Sequence, residues 1–134
     1  MLQKDEEYLY AKYPKLFAQR SLPVTQSALG WGCQCGSGWL AILDRLCSKI
    51  QALVDSKKIP QFEFTTIKEK LGTLHVYPPE FDNEVGDLLE QAEQESKRTC
   101  EICGSKENVE CKARTWYIQA LCKKCEIEYL KERE

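Results

Sequence analysis

The sequence predicts an α+β fold, with a small domain of helices packed on a β-hairpin over residues 1–98 and a four-cysteine ribbon over residues 99–134. Three observations point there. Apolar residues from Trp39 to Val54 recur at three- and four-residue steps, the period of a helix with one buried face. Residues 62–67 and 73–77 are rich in aromatic and β-branched side chains and flank Gly72, as paired strands would. Two Cys-x-x-Cys pairs, Cys100/Cys103 and Cys122/Cys125, lie near the end of the chain.

Taken in order, residues 5–19 carry Tyr8, Leu9, Lys12, Leu16 and Phe17 near helical spacing, but Pro14 divides them into two short helical pieces. The stretch from Gly30 to Gly38 holds four glycines and reads as a loop, with Ser37 placed to cap the helix that runs from Trp39 to about Asp55. Pro60 follows that helix. The hairpin of residues 62–67 and 73–77 comes next and is stopped by Pro78 and Pro79. Asp82 can cap a further helix whose inner face is Val85, Leu88, Leu89 and Ala92 and which ends near Lys97 and Arg98. Val109–Cys111 and residues 115–120 read as the two strands between the cysteine pairs.

At 134 residues there is room for one domain or one domain with a small appended module, and roughly two thirds of the extended surface can be buried. Nineteen Lys plus Arg against 21 Asp plus Glu give a formal charge of −2. That leaves no global positive field for a nucleic-acid backbone or an anionic membrane, so partners must be recognised locally. Charged residues follow Met1 where a secretory leader needs an apolar run, and no stretch is long enough for a membrane span; a cytoplasmic protein is expected.

Eight cysteines in a reducing compartment point to metal binding rather than disulfides. The pairs Cys100/Cys103 and Cys122/Cys125, with residues 104–121 between them, match four-cysteine zinc sites. Each pair supplies two thiolates from one backbone knuckle, and a hairpin between them completes a tetrahedron. Four protein ligands leave no position for water, so a structural zinc is expected, holding a unit too small to fold on its own core. Cys111 is left as a strand residue. Residues 98–134 hold eight cations against seven anions, which argues for weak or no nucleic-acid binding. A local patch of Lys112, Arg114, Lys123 and Lys124 is the alternative, and Trp116 is expected to pack on the ribbon.

The glycine loop enters a helix N-terminus, where free N–H groups favour an anion. With Lys68, Lys70 and His75 on the hairpin, and Trp31, Trp39 and Tyr77 as stacking faces, it suggests a site for a small anionic nucleotide-like ligand. The ligand-binding set is Trp31, Gly36, Ser37, Gly38, Trp39, Lys68, Lys70, His75 and Tyr77. The competing reading is ordinary turn chemistry with solvated lysines, since neither a Walker loop nor a dinucleotide fingerprint is present. Cys33, Cys35 and Cys47 with His75 are the residues a second metal site would use, although Cys47 fits better as a small buried hydrophobe. His75 is the single histidine, and nothing in the sequence joins it to a cysteine nucleophile, so no catalytic residues and no enzymatic activity are expected.

Several segments together carry a resemblance: residues 13–17 (Tyr-Pro-Lys-Leu-Phe), residues 35–39 leading into Ile42-Leu43 and Leu46-Cys47, residues 68–74 with Tyr77, and residues 99–104 with Leu121-Cys122. Their order resembles a family of small proteins encoded by tailed bacteriophages and prophages, across nearly the whole chain. The family usually has a basic residue and an aromatic where this sequence has His75 and Val76. The resemblance implies a phage setting and a terminal zinc ribbon, without an activity. The expectation is a phage counter-defence protein that sequesters a nucleotide-derived signalling molecule in the bacterial host cytoplasm, with the ribbon as a lid or homo-oligomer contact. The alternatives are a zinc-ribbon regulator binding nucleic acid or transcription machinery, and an inhibitor that occludes a host defence protein.

Overall fold

A computed structural model describes residues 1–78 and 82–133. Four α-helices and two small sheets make up its regular structure: α1 (Gln3–Lys12), β1 (Cys33–Gln34), α2 (Leu40–Asp55), β2 (Thr66–Lys70), β3 (Thr73–Tyr77), α3 (Asn83–Ser96), β4 (Val109–Arg114), β5 (Tyr117–Cys122) and α4 (Lys123–Lys131). The first sheet has the order β1-β2-β3, with β1 parallel to β2 and β2 antiparallel to β3. The second is the β4–β5 hairpin. This is the α+β arrangement that the sequence predicts.

Helix α2 is the centre of the core, as its periodicity requires. Ile42, Leu43, Leu46, Cys47 and Ile50 are buried along one face, and Trp39 just ahead of it is fully buried. Burying each such side chain stabilises the fold by roughly 1.5–3 kcal/mol. Pro14 does end the first helical piece, and a short helical turn, Ala18–Ser21, follows. Leu9, Leu16 and Phe17 are buried in the same core, and Phe17, Phe64 and Phe62 form a chain of ring contacts, the first tilted and the second edge-on, with centroids 5.0 and 5.2 Å apart. The polar edge of α1 is fastened to α2 by Asp44, whose carboxylate accepts from the Tyr8 and Tyr13 hydroxyls at 2.9 and 2.6 Å and pairs with Lys12 at 3.1 Å.

Three expectations shift. The first strand of the hairpin is residues 66–70 rather than 62–67, because Leu71 and Gly72, both at positive φ, form a two-residue turn that carries pairing up to Lys70. Phe62 and Phe64 are instead fully buried core residues ahead of the strand. Cys33 and Gln34, read as loop, form a short edge strand on β2. Ser37 does not cap α2: it lies in a helical turn, Ser37–Trp39, and its hydroxyl accepts from the Leu2 N–H at 2.8 Å. Asp82 does cap α3, accepting from the Glu84 N–H at 2.9 Å. Pro78 follows β3 directly, and Pro79 lies outside the described residues.

The β4–β5 hairpin is packed on the elements that precede it. Ala120 belongs to the main core, and Val109 and Cys111 pack against it. The turn of the first hairpin abuts the second, since a Cβ on Gly72 would lie 2.6 Å from Cys111 Sγ and 3.0 Å from Ile118 Cγ2. Glycine is required there by both contact and φ. No helix among the described residues is long and apolar enough to cross a membrane.

Candidate metal centre

The first knuckle is a tight turn closed by the Gly104 N–H donating to the Cys100 carbonyl at 2.9 Å and the Cys100 N–H donating to the Ser105 carbonyl at 2.8 Å, with Gly104 at φ 82°. The Glu101 N–H joins it to β5 through the Ala120 carbonyl at 2.9 Å. The second knuckle is the junction of β5 and α4, where Cys122 Sγ accepts from the Cys125 N–H at 3.5 Å. Helix α4, an element beyond those the sequence predicts, starts on the second knuckle and buries Cys125, Glu126 and Tyr129. Together these elements bring the sulfurs of Cys100, Cys103, Cys122 and Cys125 within 4.8 Å of one another. Cys103 Sγ lies 3.6 Å from Cys122 Sγ. A tetrahedral ion with ~2.3 Å metal–sulfur bonds requires edges of roughly 3.8 Å, so the donor set fits a metal ion.

Burial works to raise the pKa of the Cys100 thiol, but backbone groups of Cys103, Cys122 and Ile102 bring it down to about 7. Cys125 is pushed well up by burial and by the three neighbouring thiols. Four thiols this close cannot all ionise without a cation, and a dication removes that cost. Three of the four are buried and Cys103 is exposed.

The glycine loop lies against this centre. The Gly36 N–H donates to Glu101 Oε2 at 2.9 Å, the Gly38 N–H to the Glu101 carbonyl at 2.8 Å, and Trp39 Nε1 to the Thr99 carbonyl at 3.0 Å. A Cβ on Gly36 would collide with the Glu101 carbonyl, and one on Gly38 with that of Cys100. Small residues here therefore admit the backbone of the first knuckle, and the N–H groups expected for an anionic ligand are already taken. Glu101 is held partly by that loop; burial raises its pKa, and its Oε1 has no hydrogen-bond partner among the described residues.

The expected ligand residues are consequently divided. Trp39 is fully buried and presents no stacking face, whereas Trp31 is 65% exposed. Lys68, Lys70, His75 and Tyr77 share one face of the first sheet, with Lys68 opposite His75, Thr66 opposite Tyr77 and Lys70 opposite Thr73. Lys68 Nζ lies 5.8 Å from the Tyr77 ring centroid. His75 Nε2 lies 2.8 Å from Thr73 Oγ1 and 3.4 Å from Glu93 Oε1. Two clefts at the hairpin are completed by α3 and, in one of them, by Cys111 and Ile118 of the second hairpin.

Among the described residues the four-cysteine cluster is the one His, Cys, Asp and Glu group with converging ligand atoms, and Cys33, Cys35, Cys47 and His75 form no second one. Burial pushes the Cys33 thiol up to about 12 and raises Cys35 and Cys47 as well, so these three behave as small core hydrophobes. On the ribbon, Arg114 is only 4% exposed and bonds Glu126 at 2.7 Å, while Lys112 and Lys123 each reach the same carboxylate at 3.4 Å. Three of the four cations of the expected basic patch thus converge on one anion. The Arg114 hydrogen bond draws the Glu126 carboxyl down to about 2. Residues 115 and 116 form the turn of the β4–β5 hairpin rather than strand, with Thr115 at φ 60°, so Trp116 is not packed on the ribbon but 93% exposed.

Comparison with protein-family models, curated proteins and solved structures finds no match for the chain.

Proposed function

We propose that this is a non-enzymatic binding protein that occludes a partner protein through the tip of a zinc-held hairpin. The carrying observation is the exposure of Trp116 (93%) and Tyr117 (64%) at the turn of β4–β5, anchored by the metal cluster at its base. Exposed aromatics on a rigid element cost little order on binding and dominate protein interfaces. A protein partner suits this tip better than nucleic acid, because Arg114, Lys112 and Lys123 are engaged by Glu126. Zinc is the ion that four thiolates in a tetrahedron favour, and with no open position it holds the fold rather than performing chemistry. The absence of catalysis is supported by Cys111, whose burial raises its pKa and whose thiol donates to the Gly72 carbonyl, and by His75, engaged by Thr73 and Glu93. The resemblance to phage-encoded proteins favours a host defence protein as partner, in the bacterial cytoplasm.

The test is capture from host lysate with zinc-loaded wild type and with Trp116→Ala/Tyr117→Ala. A stoichiometric partner held by wild type and released by the double variant, with zinc content unchanged in both, supports the reading. Equal capture by both overturns it.

A second reading, sequestration of a small nucleotide-derived anion, is favoured by one observation: Lys70 and His75 line a common cleft.

A further inference from the structure

The start of β3 and the turn before it face α3 and the second hairpin across a cleft of about 500 Å³, lined by Lys70, Leu71, Thr73, His75, Glu93, Lys97, Cys111 and Ile118. We propose that this cleft binds a phosphate ester of nucleoside size, with Lys70 and Lys97 holding the phosphate and Leu71 and Ile118 covering the organic part. The proposal rests on the second reading above and assigns it a place.

Charge supports an anion. Among the described residues neither Lys70 nor Lys97 has a carboxylate within ion-pair distance, while the one acid of the cleft, Glu93, lies beside His75. Two ammonium groups therefore line the cleft against one carboxylate, neither of them held in an ion pair, and desolvating them against a phosphate gives charge-assisted bonds. His75 is oriented through Nε2 by Thr73 Oγ1 at 2.8 Å. The apolar side supports a ligand larger than phosphate itself. Leu71 is 68% exposed and Ile118 36%, an apolar rim beside the cations that an ester's organic part would cover. The cleft draws on both units of the chain, since Cys111 and Ile118 come from the metal-held hairpin.

The experiment is a titration of the zinc-loaded protein with adenosine monophosphate, inorganic phosphate and adenosine, followed by backbone amide shifts. Adenosine monophosphate should move the amides of Lys70, Leu71, Lys97 and Ile118 saturably, and bind more tightly than either part alone. Lys70→Ala and Lys97→Ala should each weaken it roughly tenfold or more, and Lys4→Ala should leave it unchanged. Saturable shifts elsewhere in the protein would overturn this location while sparing the nucleotide reading. The absence of saturable binding by adenosine monophosphate, by a cyclic dinucleotide and by ADP-ribose would overturn both. Equal affinity for phosphate and the ester would overturn the role given to Leu71 and Ile118.

Discussion

The backbone N–H of Gly38 donates to the carbonyl of Glu101 at 2.8 Å, tying the entry of α2 to the residue that follows the first cysteine of the cluster. The Gly36 N–H donates to the carboxylate of the same residue, and Trp39 Nε1 donates to the Thr99 carbonyl. The glycine-rich loop is thus a seat for a metal knuckle. Gly38→Ala should force the Cys100 and Glu101 backbone away, lowering stability by about 1–3 kcal/mol and weakening metal affinity. Thermal unfolding and competition with a zinc chelator measure the two effects. An unchanged midpoint with unchanged chelator resistance would refute the seat.

Cys103→Ser should remove the metal and unfold the ribbon, since the remaining three thiols no longer close the tetrahedron. The seat adds a second consequence. Amide exchange should accelerate at Gly36 and Gly38, which lose Glu101 as acceptor, while the buried stretch of α2 from Leu43 to Ile50 stays protected by its own packing. Full metal content in the variant would dismiss the ligand assignment, and uniform loss of protection would show that the first domain does not hold without the ribbon.

Periodicity and spacing made α2, α3 and the four-cysteine cluster legible, because each depends on local pattern: a 3.6-residue repeat, an aspartate cap and two equal thiol spacings. The use of the glycine loop was not legible. Glycines admit close approach of any group, and whether Gly36 meets a ligand or the Glu101 backbone depends on a contact distant in sequence. Glu101 itself carried one available signal, an acid placed between the two cysteines of a knuckle, and its carboxylate accepts from the Gly36 N–H. Trp116 was misread for a related reason. A single tryptophan between strand-forming residues looks like strand, and the position of the turn is set by the register Arg114↔Tyr117.

Two of the three tryptophans, Trp116 and Trp39, give opposite expectations. Trp116→Ala should change stability by less than about 0.5 kcal/mol, because its side chain is 93% exposed. Trp39→Ala should cost about 3–5 kcal/mol, because Trp39 is fully buried and bonds Thr99. Urea titrations of both variants check the contrast, and a comparable loss in each would mean that the hairpin tip packs against the protein.

Acid sensitivity should be carried in part by Asp44. Burial acts to raise its pKa, but hydrogen bonds from Tyr13, Lys12 and Tyr8 outweigh it, so the folded value lies below the ordinary one. A carboxylate depressed in the folded state contributes stability that is fully present above its unfolded pKa of about 3.9 and is lost as pH falls through the folded value. Wild type should therefore exceed Asp44→Asn in stability at neutral pH by an amount that shrinks below about pH 4. A gap that widens on acidification would reverse the assignment.

The last expectation concerns charge on the ribbon. Lys112 and Lys123 look available to phosphates, yet each lies 3.4 Å from Glu126, which also bonds the buried Arg114. A phosphate approaching them meets a carboxylate already in place, and counter-ion release, the main source of non-specific affinity, is correspondingly small. Duplex DNA and RNA should bind weakly at physiological salt, and Lys112→Ala with Lys123→Ala should change little. The informative variant is Glu126→Gln, which keeps a hydrogen-bond acceptor for Arg114 but removes the negative charge; its affinity for duplex at low salt should rise, and log affinity should fall more steeply with log salt, by about 0.9 for each phosphate newly neutralised. Submicromolar binding by wild type, abolished by the two lysine substitutions, would favour a nucleic-acid regulator over the occluding protein proposed here.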